Sequence, residues 1–437
     1  MPRTFYALTS LALSPLMIAA CQADLNDEAT RVSDASVTKY SNARIFTGTR
    51  FEPGDICVSR AVIVACPQTA GVEIDLEGAY VTPPFGDAHT HHFDGTFTFE
   101  WHTSLGLETG TFYAMTMTAP GSGVARIRDQ FRGADRVDVA TSLGGITGPQ
   151  SHPAEIYEAL SLGFRSYEQQ LANTDKIHAS RLAADDAYYI VETEADVREK
   201  MAMLLSEQPD HIKVFLRHSD RYAEGWGKWG PGGGVDPELT PLIGELAEAA
   251  GVRTAYATSN VSDYQVALDV NAGLVTHLPC YQDTESDPDS PYFDTDTEDE
   301  CLINEDQAQR ASDIGMVSTL VVTEWAKTRP EKYDAWEKQN IRTLIEAGAP
   351  LAVSVDAYGS TLIPGLISGV EEGFLTAPDL LRISTMDTPR AIFPGRRVGC
   401  LAIGCEASFI GFESDPTASI SAIQEISLRV KDGRRFE

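Results

Sequence analysis

Between residues 83 and 356 the chain alternates short apolar runs with stretches of helical periodicity, and this alternation limits the fold more than any other feature. One strand reading ends at His89-Thr90-His91. Seven more fall at residues 111–117, 137–142, 211–216, 253–258, 273–278, 316–322 and 350–355. Residues 239–250 carry apolar side chains at helical spacing and stop at Gly251, a C-cap signal, and 341–347 stop in the same way at Gly348. Eight strands alternating with helices predict an α/β chain whose parallel strands form a (β/α)8 TIM-like barrel. Such barrels carry their functional groups at the C-terminal ends of the strands.

The flanks read differently. Residues 38–81 hold short strand signals with Cys57 and Cys66 among them, and strand-like segments return after Pro389 and Pro394. These predict a small β-sandwich built from both ends of the chain, residues 37–82 and 389–437, around a barrel at 83–388. Residues 1–20 read as a signal peptide: Arg3, then an apolar run too short for a membrane span, ending in Ala19-Ala20-Cys21. A cysteine at the cleavage point predicts a lipid on Cys21. The protein would then be exported and lipid-anchored to a bacterial membrane, on its periplasmic or outer face, with residues 21–36 as a tether. A plain secretory signal is the alternative.

Six further cysteines fall as neighbours: Cys57 and Cys66, Cys280 and Cys301, Cys400 and Cys405. An oxidising compartment permits disulfides, and proximity predicts these three pairs among the roughly 15 possible connectivities. A net charge of −30 argues against nucleic acid and against direct contact with an anionic membrane surface. A small-molecule substrate fits better, and assembly of identical chains is compatible with the sequence.

The chemistry centres on the histidines. In a strand, residues i and i+2 share a face, so His89 and His91 can hold one metal ion. Imidazole suits zinc, nickel and iron alike, so the pair does not choose the metal. Lys213, His277 and Asp356 fall within or just after the fourth, sixth and eighth strand readings. Two insertions flank this set. Gly225–Gly234 is rich in glycine and tryptophan and lacks the ending of a phosphate loop, and residues 283–306 contain eleven acidic side chains.

With Pro84-Phe-Gly-Asp-Ala-His-Thr-His, Asp210-His-Ile-Lys-Val, Gly273-Leu-Val-Thr-His-Leu-Pro, Ser354-Val-Asp and a closing Val-Lys-Asp-Gly-Arg, the sequence resembles the amidohydrolase superfamily. The likeness is to its imidazolonepropionase-like and prolidase-like branch. The resemblance implies one or two divalent ions, zinc first and manganese, iron or nickel as alternatives. His89 and His91 would hold the more buried ion. Lys213, carboxylated by CO2, would bridge to a second ion held by His277. Asp356 would touch the metal and shuttle the proton. The implied reaction is hydrolysis of an amide, lactam, peptide-like or related ester bond by metal-activated water. The family's fifth-strand histidine is replaced here by Ala257, with Tyr256 beside it as a core tyrosine or, if it turns inward, a phenolic ligand or oxyanion donor. His92, His152 and His218 are candidates for substrate contact or for support of the ligands. The alternative reading is a binding or scaffold lipoprotein on a decayed hydrolase fold.

Overall fold

The computed structural model describes residues 37–149, 151–224, 234–281, 296–327 and 329–436. The leader, Cys21, the tether, most of the glycine–tryptophan loop and the first half of the acidic insertion lie outside the described residues.

The first strands are β1 (Val37–Phe46), β2 (Phe51–Ser59), β3 (Val62–Val64), β4 (Val72–Asp75) and β5 (Tyr80–Thr82). They are joined by the last three, β16 (Phe409–Phe412), β17 (Ile426–Lys431) and β18 (Arg434–Phe436). The segments expected to form a small sandwich hydrogen-bond as one eight-stranded mixed sheet, in the order β18-β17-β16-β5-β1-β2-β3 with β4 against β1. β16 runs antiparallel to β5 with Ile410 opposite Thr82. The end of the chain therefore braces the strand that leads directly into His89.

Ten strands lie between. They are β6 (Phe85–Thr90), β7 (Thr111–Thr116), β8 (Asp138–Thr141), β9 (Gly145–Thr147), β10 (Tyr188–Ile190), β11 (His211–Phe215), β12 (Arg253–Ala257), β13 (Leu274–Val275), β14 (Val317–Val321) and β15 (Leu351–Ser354). They form two parallel sheets, β6-β7-β8 and β10-β9-β11-β12-β13-β14-β15. All eight anticipated strands are present; β9 and β10, three residues each, are additional. Most of these strands are buried along their whole length. That is why they read as continuous apolar runs rather than alternating ones.

The main helices are α1 (Phe99–Glu108), α2 (Ala154–Ser161), α3 (Tyr167–Leu171), α4 (Thr174–Ala179), α5 (Glu194–Ser206), α6 (Thr240–Ala249), α7 (Val261–Asp269), α8 (Glu305–Ile314), α9 (Glu331–Glu346) and α10 (Leu362–Glu371). Their ends follow the sequence. Asn304 and Gln307 form a reciprocal capping box at the start of α8, and Gly315 closes it at φ 67°. Helix α10 lies so close to the end of β14 that a Cβ on Gly365 would sit 2.2 Å from the Val322 carbonyl oxygen. Gly365→Ala is therefore expected to cost roughly 1–3 kcal/mol by overpacking, read as a lowered denaturant midpoint with an unchanged slope.

The three cysteine pairs are disulfides, Cys57–Cys66, Cys280–Cys301 and Cys400–Cys405.

Candidate metal centre

Four side chains converge where β6, β13 and β15 end. His89 Nδ1 lies 3.2 Å from the Thr276 carbonyl oxygen. A carbonyl oxygen only accepts, so Nδ1 carries the proton and Nε2 presents its lone pair. His277 is fixed in the same way, its Nδ1 2.7 Å from the Thr258 carbonyl oxygen. His89 Nε2 and His91 Nε2 stand 3.0 and 3.3 Å from one carboxylate oxygen, Asp356 Oδ1. One candidate ligand atom each from His89, His277 and Asp356 lie within 4.8 Å of one another.

Charge makes this arrangement informative. Burial pushes His89 down to about 4 and His277 well below the ordinary imidazole value, so both are neutral at pH 7. Burial opposes ionisation of Asp356, but the adjoining His89 and His91 hold its carboxyl well below the usual range. A neutral His89 with its proton on Nδ1 has no donor to offer Asp356 Oδ1, so the 3.0 Å contact needs a cation, a proton or a metal ion, between the two atoms. Nitrogen and oxygen donors each about 2.0–2.2 Å from one zinc ion would stand roughly 3 Å apart. The donor set fits a divalent ion.

The supporting contacts come from neighbouring strand ends. Asp87 Oδ1 accepts the N–H of His89 and the N–H of Val355, each at 3.2 Å, and so ties β6 to β15. The Asp356 N–H donates to the His89 carbonyl at 2.9 Å, and Asp356 takes a left-handed φ of 42°. Aspartate tolerates that region better than most residues, and such backbone clusters at functional sites. Tyr281 stacks on His277 at 4.1 Å and donates its hydroxyl to Asp356 Oδ2 at 3.3 Å. Lys213 is buried, with its Nζ donating to Thr276 Oγ1 at 2.7 Å and lying 5.0 Å from the Phe215 ring centroid. Burial, opposed by Asp356, lowers Lys213 to about 7. A large neutral fraction at pH 7 is the form that CO2 requires.

No family model and no curated protein matches the chain in sequence. Solved structures match it in shape. The ochratoxinase of A. niger superposes with a TM-score of 0.68 at 15% identity, covering 92% of this chain and 96% of its own. A Xaa-Pro dipeptidase gives 0.67 at 14% identity, covering 92% and 100%. An amidohydrolase gives 0.61 at 14% identity, covering 92% and 98%. The chain has the amidohydrolase fold.

Within that fold, β12 stands where the sequence leaves the missing donor. Lys213 is in register with Ala255, and Phe215 with Ala257. Neighbouring residues in a parallel sheet share a face, so Ala255 and Ala257 lie on the Lys213 side and offer no ligand atom. Tyr256, in register with Val214, faces the other way into the strand–helix core. It is a buried core tyrosine and neither a ligand nor an oxyanion donor. His218 does not join the centre either. It is buried beside Asn260, and its main-chain N–H and that of Ser219 donate to Asp263 on α7. His92 stacks on His102 at 4.3 Å and accepts the N–H of Gly359 at 3.1 Å, linking the loop after β6 to the loop that follows Asp356. His152 Nδ1 pairs with Glu155 at 3.0 Å, and its ring lies 5.1 Å from Phe215. Tyr281, Thr276, Thr258, Asp87 and His102 complete the picture and are absent from the sequence reading. Thr276 and Asp87 flank the ligand motifs directly, which is the signal that was there to use.

Proposed function

We propose that the protein is a metal-dependent hydrolase of a carbon–nitrogen bond (amide, lactam or peptide-like) or a related ester in a small molecule. The observation that carries this reading is the convergence of His89, His91, His277 and Asp356, with the His89 tautomer set so that Nε2 faces the carboxylate. The two parallel sheets support closure into one (β/α)8 barrel. Asp210, just before β11, donates its N–H to the Thr141 carbonyl at the end of β8 at 2.8 Å and accepts the Thr141 N–H at 2.9 Å, and the Asp356–His89 bond spans the other seam. Solved neighbours named as a dipeptidase and an amidohydrolase point to the same bond class.

A bound divalent ion supplies water with a pKa near roughly 7 and polarises the scissile carbonyl. Zinc suits this nitrogen–oxygen set first, with manganese, iron and nickel as alternatives. Asp356 then acts as the proton carrier. Its carboxylate takes one proton from the attacking water as the new C–O bond forms, and gives it to the leaving nitrogen as the C–N bond breaks. Tyr281 steadies Asp356 Oδ2 during that exchange. Thr276 holds the His89 tautomer through its carbonyl and orients Lys213 through its hydroxyl. His152 binds the substrate.

One ion is better supported than two. Among the described residues, the inner face of β12 offers Ala255 and Ala257, and the donor set gathers on one side of Lys213. Elemental analysis of the full chain, purified without chelator, is expected to give one ion per chain. Two ions, with the added mass of a carboxyl group on Lys213, would establish the bridged centre instead. None after reconstitution with zinc or manganese would overturn the hydrolase reading.

Export belongs to the same proposal. Three disulfides suit an oxidising compartment. Among the described residues no helix is long and apolar enough to cross a membrane. A lipid at Cys21 would supply the attachment to a membrane.

A further inference from the structure

Asp356 takes its left-handed φ of 42° at the start of a turn that runs to Gly359, itself at φ 74°. Such backbone persists where its surroundings over-determine it. Here the surroundings come from the loop after β6 and the first turn of α1. His92 Nε2 accepts the Gly359 N–H at 3.1 Å. The Thr98 and Tyr358 hydroxyls share a hydrogen bond at 2.7 Å. The Tyr358 ring meets the His102 ring at a right angle, 4.9 Å between centroids, and a Cβ on Gly359 would stand 3.4 Å from the Trp101 ring. His92 is held in turn by His102. Their rings stack at 4.3 Å and 14°. His102 Nδ1 lies 2.6 Å from the His92 carbonyl oxygen, so Nδ1 carries the proton and donates it. His102 Nε2 is buried and has no hydrogen-bond partner among the described residues. A leucine would fill the same space without leaving a polar atom unpaired. What the imidazole adds is a donor that fixes the His92 main chain and a face that props the His92 ring.

We infer that His92 and His102 are positioning residues for Asp356: the stacked pair holds the 356–359 turn in the conformation that brings the carboxylate between His89 and His91. The inference rests on the metal-dependent reading of the site. The His92 Nε2 lone pair is committed to Gly359, so in this arrangement the ring acts through the turn rather than on an ion or a substrate. Two independent connections then fix Asp356. Its own N–H is tied to the His89 carbonyl at 2.9 Å, and the far end of its turn is tied to His92. Both lead back to the segment that carries His89 and His91. The pair therefore sets the distance between the carboxylate and the two imidazoles, which is the dimension an ion reads. Partners that orient a metal ligand from behind are typically worth about 10–100-fold in metal affinity.

Zinc affinity of the full chain, measured by competition with a chromophoric chelator, tests the inference without needing a substrate. His92→Phe keeps a ring against His102 but offers Gly359 no acceptor, and is expected to bind zinc about 10–100-fold more weakly than the native chain. His92→Gln places an amide oxygen within the same reach and should recover most of that loss. His102→Leu should weaken zinc binding in the same direction while the melt of the zinc-free protein is unchanged or higher, since no buried nitrogen is then unpaired. Stability and metal affinity moving apart is a result that a purely structural role does not give, and this variant also covers the case in which His92→Phe misfolds. A native chain that takes no zinc overturns the metal reading and this inference with it. A native chain that takes zinc, with folded His92→Phe and His102→Leu variants that match it, overturns this inference alone. So does an equal loss in His92→Gln and His92→Phe, which would place the effect in the packing of the ring.

Discussion

Asp356→Asn is expected to lower turnover about a thousandfold while the protein stays folded. The substitution keeps the shape of the side chain and its contact with Tyr281, but removes the charge between His89 and His91. A positioned proton carrier contributes roughly 10²–10⁴-fold to such a reaction, and an amide cannot take the proton from water. His89→Ala acts one step earlier. It removes a donor whose tautomer is fixed by Thr276, so elemental analysis should show the ion lost or bound only at high metal concentration. The two variants separate catalysis from occupancy: the first should retain more metal than activity, the second should lose both. If both leave the biological activity unchanged, the scaffold reading stands and the hydrolase reading falls.

How much of this was legible in the sequence depended on what each position buries. The eight anticipated strands were readable because strands covered on both faces appear as uninterrupted apolar runs. β9 and β10 were not, since three residues carry no period. His89, His91, Lys213, His277 and Asp356 stood out as polar groups at the ends of such runs, and the structure brings three histidines and the aspartate together. For Tyr256, strand parity favours the core alternative. If Ala257 lies on the ligand side, its neighbour must lie on the other, and that alternation was already present in Arg253-Thr-Ala-Tyr-Ala. The His218 ring lies against Asn260, 42 positions further on, which no local pattern announces. The carbonyls of Thr258 and Thr276, which set both tautomers, are main-chain atoms and have no signature in side-chain identity. Tyr281 reaches Asp356 directly after a left-handed turn at Cys280, φ 52°, in a segment closed by the Cys280–Cys301 disulfide.

The backbone of Tyr281 is anchored from outside that segment, by a buried ion pair whose loss should destabilise the fold strongly. Arg329 and Glu337 form an ion pair whose side chains are 5% and 1% exposed. Glu337 takes a second bond from Trp325 Nε1 at 2.8 Å, and Arg329 donates to the Tyr281 carbonyl and to Asp334. Arg329→Ala leaves the Glu337 carboxylate buried without its cation, a change that costs roughly 3–5 kcal/mol. The expected result is a melting temperature lower by several degrees. The double variant Arg329→Met, Glu337→Leu should recover much of the loss, because no charge is then stranded in the core. The pair also has a positional part to play. Its guanidinium anchors the backbone of Tyr281, whose ring lies on His277 and whose hydroxyl reaches Asp356. In the double variant, stability and activity should part: the melt returns towards native while turnover stays low, because Tyr281 has lost its anchor. A double variant that regains both would reduce the Arg329–Glu337 pair to a packing element and remove Tyr281 from the working parts of the site.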